Sequence, residues 1–216
     1  MERRKFLKIS SLLYFGLIAS TKLKASVFLN NVNKYKEKII KLILELNNEG
    51  SNLVQKVMNG KKYAFDPYTH YPQDGGIKDE NTGSQLFFHI HRDAEYGHFH
   101  TFSKDENGEL VHLILISMNK EGEPIGLATV NRWVTGDKYV NGEILNKLTQ
   151  NFFVDTSLFS DSRVVDFVNN IFKAYAEEIK QLYSERDKWI LNYVNQNYRE
   201  PFEDRDYEIL SFKKIQ

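Results

Sequence analysis

Five of the six histidines of this 216-residue chain lie in one stretch, Gln85 to His112, and the sixth, His70, stands just upstream. His89 and His91 make one H-x-H pair, and His98 and His100 make a second after a short polar segment. Strand side chains alternate between faces, so each pair shares one face. A hairpin closed by Arg92 to Gly97, with His91 opposite His98 and His89 opposite His100, gathers four imidazoles into one patch. That patch measures roughly 7 Å along the strand and about 5 Å across it. Neutral imidazole is the commonest metal ligand, and four ring nitrogens so placed can converge on one ion. His112 becomes a fifth ligand if the next strand pairs in the register its turn suggests. For any one of these residues the alternative is a satisfied core histidine; two H-x-H pairs on neighbouring strands favour the metal.

Carboxylates complete the chemistry. Glu95, in the turn between the pairs, is the candidate general base or extra ligand. The loop from Tyr63 to Gly83, rich in Asp, Gly, Pro and Asn, offers His70 and Asp74 as catalytic support, with Asp79 as a further acceptor for imidazole N–H groups. A solvated surface loop is the alternative for these residues. The chain has no cysteine, which excludes disulfides, thiolate ligands, iron–sulfur clusters and a cysteine nucleophile. An all-nitrogen or nitrogen-plus-carboxylate shell suits iron, copper, manganese or zinc, and ligand type does not choose among them. Lys plus Arg and Asp plus Glu both number 29, so no basic excess points to nucleic acid. No serine sits in a G-x-S-x-G elbow, which leaves a Ser-His-Asp hydrolase without support.

The elements that must position these residues follow from periodicity. Val32, Tyr35, Ile39, Ile40, Leu42, Ile43 and Leu46 recur at helical spacing, and Leu53, Val54, Val57 and Met58 give a short second helix. Four strands follow, at Ser84 to Arg92, His98 to Lys104, Leu110 to Met118 and Gly126 to Val134, joined by turn-forming segments as an antiparallel meander. One face holds Phe87, His89, His91, His98, His100, Phe102, His112, Ile114 and Ile116. The other holds Leu86, Phe88, Ile90, Phe99, Val111, Leu113 and Leu115. Both faces are largely apolar, so both need cover, from helices or from curling into a partial barrel with the histidines inside. Asn131 to Gly136 closes the sheet. A helix near Gly142 to Phe153, a long helical region from Asp161 to Asn197 with Asp161 as N-cap, and an edge strand within Asp206 to Ile215 complete the chain. The fold class is α+β: one domain over 31–216, with a histidine-rich sheet at 84–134 and a helical part at 161–198.

At the N-terminus, Arg3-Arg4-Lys5-Phe6-Leu7-Lys8 precedes an apolar run from Ile9 to Ala19 that is short for a bilayer span. Residues 1–25 resemble a twin-arginine export signal, with Glu2 where that pattern has serine or threonine. The resemblance implies export to the periplasm by machinery that carries folded proteins, with cleavage after Ala25 or retention as an anchor. An amphipathic helix of a cytoplasmic protein is the alternative.

From about Leu53 to Ser211 the chain resembles a family of uncharacterised bacterial proteins sharing H-Y-P-x-x-D, Q-x-x-x-H-x-H, E-x-G-H-F-H-T-F, N-R-W-V-T-G and E-D-R-x-x-E. Here the first stands one residue shorter, as His70-Tyr71-Pro72-Gln73-Asp74, and the others stand at Gln85 to His91, Glu95 to Phe102, Asn131 to Gly136 and Glu203 to Glu208. The resemblance implies that these positions matter and names no chemistry; members commonly carry a histidine where Tyr96 stands. Gly83, His89-x-His91 and Glu95 also resemble the first cupin motif, whose glutamate is a metal ligand. Phe102 replaces that motif's final glycine and Thr129 the histidine of the second motif, so the cupin is an analogy for holding a metal and not a fold assignment. The sequence thus predicts an exported metalloprotein, an enzyme of redox or hydrolytic type. A metal carrier and a metal-free small-molecule module are the alternatives, with oligomeric state undetermined.

Overall fold

A computed structural model describes residues 32–215. The export-like segment 1–25 lies outside the described residues. Helix α1 covers 32–48 and α2 covers Leu53–Met58, whose Asn52 side chain accepts from the backbone N–H of Gln55 in a capping box. Strands β1 (Asp66–Tyr71), β2 (Ile77–Asp79), β3 (Ser84–Ile90), β4 (Gly97–Lys104), β5 (Leu110–Met118) and β6 (Pro124–Val130) follow. Then come α3 (Arg132–Thr135), α4 (Gly142–Asn151), α5 (Ser162–Ala174), α6 (Ala176–Asn197) and β7 (Ile209–Lys214). The protein is α+β. Its seven-stranded antiparallel sheet runs β1-β3-β4-β5-β6-β7, with β2 beside β1 on the outer side of β3, and it does not close into a barrel.

Helices cover one face. Phe88, Phe99, Val111, Ile116 and Leu127 join Phe167, Ile171, Ile179 and Leu182 of α5 and α6 in the main core, and the Phe99 and Phe167 rings lie 5.9 Å apart. Ser211 ties the sheet to α6: its hydroxyl donates to the Leu182 carbonyl at 2.9 Å and lies 2.7 Å from Thr129 Oγ1. The histidines occupy the opposite face.

Several elements differ from expectation. Within the stretch read as a loop, β1 and β2 are strands held by pairing with β3; prolines and glycines hide them from any periodicity test. The long C-terminal helix breaks at Tyr175, which leaves helical geometry. The fourth strand stops at Val130, because Asn131 begins a helical turn instead of closing the sheet. Its side-chain oxygen accepts from the Arg132 N–H while its amide donates to the carbonyls of Pro201 and Tyr207, each at 2.9 Å.

The histidine hairpin is slipped by two residues from the expected register. His89 pairs with His98, and Phe87, not His89, pairs with His100. The strand ends at Ile90, so His91 belongs to the connection, yet a two-residue slip keeps every side chain on its face. Gly97 explains where the turn falls. A Cβ there would stand 2.3 Å from the Phe88 ring and 3.0 Å from the His89 carbonyl, at φ +157. Gly97→Ala is therefore expected to cost about 2–4 kcal/mol in urea unfolding, because ring and strand must separate. An unchanged midpoint would mean that this packing is not tight.

A second irregularity re-sorts β5. Between His100 and Phe102 of β4, three residues of β5 advance, Leu115 to His112, so Leu113 and Ile114 together face Thr101 as a β-bulge. The Thr101 hydroxyl donates to the Ile114 carbonyl at 2.7 Å and accepts its N–H at 3.2 Å, replacing the lost ladder bonds. Ile114 and Ile116 thereby join the helix-covered core, and Leu115, opposite His100, takes their expected place on the histidine face. His112, beyond the bulge and opposite Phe102, stays on that face.

Candidate metal centre

Four imidazoles converge. One ligand atom from each of His89, His91, His98 and His100 lies within 4.8 Å of all the others. Ring centroids are 4.5 Å apart for His89 and His91, 4.9 Å for His91 and His98, and 4.7 Å for His98 and His100. Nitrogens on one metal at about 2.1 Å stand about 3.0 Å apart at a right angle and about 4.2 Å apart when opposite. The 3.0 Å between Nε2 of His98 and Nε2 of His100 matches the first value. The cluster could hold a metal ion.

Two of the rings are oriented from behind. His98 Nδ1 lies 2.6 Å from Glu95 Oε1, in a carboxylate whose side chain is only 3% exposed. His100 Nδ1 lies 2.9 Å from His112 Nε2. His89 Nε2 is buried without a hydrogen-bond partner. The His91 ring packs between His89 and His98, with centroids 4.5 and 4.9 Å away. Outer partners such as those of His98 and His100 fix ring orientation and tautomer, leaving the other nitrogen for a metal.

Burial favours the neutral form of His89, His91, His100 and His112. It pushes His89 down to about 3, helped by His91, His98 and His70, and His91 down to about 4, helped by His98 and Arg92. Burial holds His100 well below the usual range and takes His112 to about 3. For Glu95, burial favours the protonated acid, but the hydrogen bonds of His98 and Ser117 and the positive charge around it, Arg92 included, outweigh burial and the carboxyl titrates below its ordinary value. Neutral imidazoles beside an ionised carboxylate are the protonation states a cation requires.

The other predicted residues stand further out. His112 reaches His100 rather than the common centre, and its backbone N–H donates to Asp137 at 2.7 Å. His70 packs on His89 and Phe87 with centroids 4.8 and 4.6 Å away. Asp74 is 97% exposed in its side chain and comes only within 3.9 Å of His70 Nδ1. Asp79 caps the turn after β2 and accepts from the Asp155 N–H, away from the histidines. A family model matches residues 33–215, which is most of the chain and the whole of this site. The chain belongs to the family described as a domain of unknown function, DUF6969. All four clustered histidines lie inside that DUF6969 match, and the export-like segment lies before it. No curated protein and no solved structure matches the chain.

Two residues at the site escaped the sequence reading. Arg92 follows the first H-x-H pair, and Glu208 ends the E-D-R-x-x-E string; Arg92 Nε lies 3.4 Å from Glu208 Oε1, and Arg92 Nη1 lies 3.8 Å from Glu95. In strand order β4, β5 and β6 separate β3, which Arg92 follows, from β7, which Glu208 precedes, so their contact joins segments that are distant in the sheet. Their signal was adjacency to motifs, which says nothing of a partner 116 positions away in the chain.

Proposed function

We propose that this protein is an exported metalloenzyme in which His89, His91, His98 and His100 hold one transition metal ion through Nε2. The observation that carries the reading is the outer-partner pattern: His98 and His100 engage Nδ1 with Glu95 and His112, their Nε2 atoms stand 3.0 Å apart, and the buried Nε2 of His89 has no partner in the protein. When bound, zinc would supply Lewis acidity, and iron, copper or manganese would add electron transfer. The residues of the chain do the rest. Glu95 fixes the His98 ring and adds negative charge beside the cation. His112 accepts the His100 proton and holds that ring. Phe87 and Phe102, stacked with centroids 5.5 Å apart, wall the cluster from water on the side away from the β3–β4 connection. Twin-arginine export, which carries folded proteins, would let the ion be loaded before translocation.

A second reading rests on the same 3.0 Å contact. Glu95, His98, His100 and His112 form a continuous series at 2.6, 3.0 and 2.9 Å that can run as hydrogen bonds without a metal, in a binding module rather than an enzyme. Elemental analysis of protein purified without a histidine tag decides between them. Near-stoichiometric iron, copper, manganese or zinc is expected. A folded protein that takes up none of these on titration would leave the hydrogen-bonded series as the correct account.

The outer partners give a graded prediction. His112→Phe keeps the volume but leaves the His100 Nδ1–H without an acceptor, so metal affinity is expected to fall about 10–100-fold in chelator competition. Parent-like affinity would show that His112 merely fills space.

A further inference from the structure

Among the described residues, three buried side-chain polar atoms lack a hydrogen-bond partner: His89 Nε2, Arg92 Nη1 and Glu208 Oε1. Native proteins pair the great majority of such atoms, so exceptions ask for a reason. A chain of contacts links the three. His89 belongs to the cluster, Arg92 stands 3.8 Å from the carboxylate that orients His98, and Glu208 lies 3.4 Å from Arg92.

Other arginines of the protein are held more closely. Arg163 forks onto Glu49 at 2.6 and 2.9 Å and onto Asp161 at 2.7 Å, and Arg186 donates to Asp187 at 2.6 Å and to the Val140 carbonyl at 2.7 Å. Arg92 and Glu208 balance one another's charge but leave a donor and an acceptor unused. Leaving buried hydrogen-bonding groups unmade is costly, and a pair kept only for stability would close the gap.

We propose that Arg92 and Glu208 are the recognition half of a small-ligand site on the histidine cluster, and that the ligand is a small carboxylate with a hydroxyl or amino group on the neighbouring carbon. The inference rests on the metal-centre reading and names the substrate class for it. Arg92 Nη1–H donates to a carboxylate oxygen, the geometry for which a guanidinium is suited. Glu208 Oε1 accepts from the neighbouring hydroxyl or amino group. The two atoms are at most about 6 Å apart, the width of one guanidinium added to the 3.4 Å contact, which fits donor and acceptor atoms on adjacent carbons. The third unpartnered atom, His89 Nε2, belongs to the four-histidine cluster that Glu95 connects to Arg92, and the proposal sets ligand and metal side by side there. A plain carboxylate would leave Glu208 unsatisfied and is therefore discriminated against.

The test uses full-length protein loaded with cobalt(II), whose visible spectrum reports a ligand arriving at the ion, titrated with glycolate, glycine and acetate. Glycolate or glycine is expected to saturate the spectral change at a concentration at least about tenfold below acetate. Arg92→Lys keeps the charge without the fork and should weaken all three carboxylates by about tenfold or more, at unchanged cobalt stoichiometry. Glu208→Gln, which no longer offsets the Arg92 charge and offers only a weaker amide acceptor, should bind acetate at least as tightly as the parent and narrow the preference over it. Equal binding of all three compounds, or variants that bind as the parent does, would overturn the proposal. If cobalt itself is not taken up, it is the metal centre that fails; calorimetric titration of the metal-free protein with the same three compounds then tests the Arg92–Glu208 pair separately.

Discussion

Replacing His98 with alanine is expected to strip the protein of its metal. A four-ligand site worth about 10–16 kcal/mol in total loses about a quarter of that with one imidazole, which is about 10²–10³-fold in affinity. His98 is the most informative of the four because it is fully buried and touches both the cluster and Glu95. The same substitution therefore leaves the Glu95 carboxylate buried without its main partner, and removal of one member of a buried charged pair carries a stability cost of its own. The double variant His98→Ala with Glu95→Gln separates the two effects. It should recover stability relative to His98→Ala alone, since no bare carboxylate remains, and recover none of the metal. Parent-like metal content in His98→Ala would sink the assignment of this ring as a ligand.

Acid should unfold the metal-free protein through the same rings. His89 and His112 titrate near 6.5 when unfolded and at about 3 when folded, because burial disfavours their charged forms. Between those values the unfolded chain binds more protons, so stability falls as pH falls from about 6.5 toward 3. These two residues alone should remove about 4 kcal/mol between pH 7 and pH 5, at about 1.4 kcal/mol per pH unit for each fully differing group. His100 adds to this in the same direction. Glu95, whose folded value is lowered, contributes stability that is lost only at lower pH still. Metal competes with protons for the same nitrogens, so saturating metal should move the acid transition to lower pH. Urea unfolding at pH 7, 6 and 5, with and without metal, reads both effects. A flat stability across that range would mean that the imidazoles are not held neutral.

The histidine site was legible because strand alternation is a local rule. His89 with His91 and His98 with His100 had to share faces once each segment was extended, and the turn residues between them brought the pairs together. A two-residue error in register therefore did no harm, whereas an error of one would have split the cluster. Asp74 illustrates the limit. It follows His70 at a spacing that suggested a joint role, but the chain turns through Gly75 and Gly76 and leaves its carboxylate in solvent, where it is fully hydrated.

What the sequence by itself determined is the class of chemistry and the class of fold. A chain without cysteine, with its histidines doubled at two-residue spacing on β-forming segments, offers a nitrogen-rich metal site on an antiparallel sheet with helices around it. Those properties reside in residue type and short-range spacing. What the tertiary structure decided depends on contacts between distant segments. Phe88 closing over Gly97 set the hairpin register; Thr101 meeting Ile114 placed the bulge that turned Ile114 and Ile116 into the core and left His112 behind His100. Arg92 met Glu208 across three intervening strands, and neither residue carries any local mark of the other, because side-chain hydrogen bonds and packing are chosen by the folded neighbourhood and not by position along the chain.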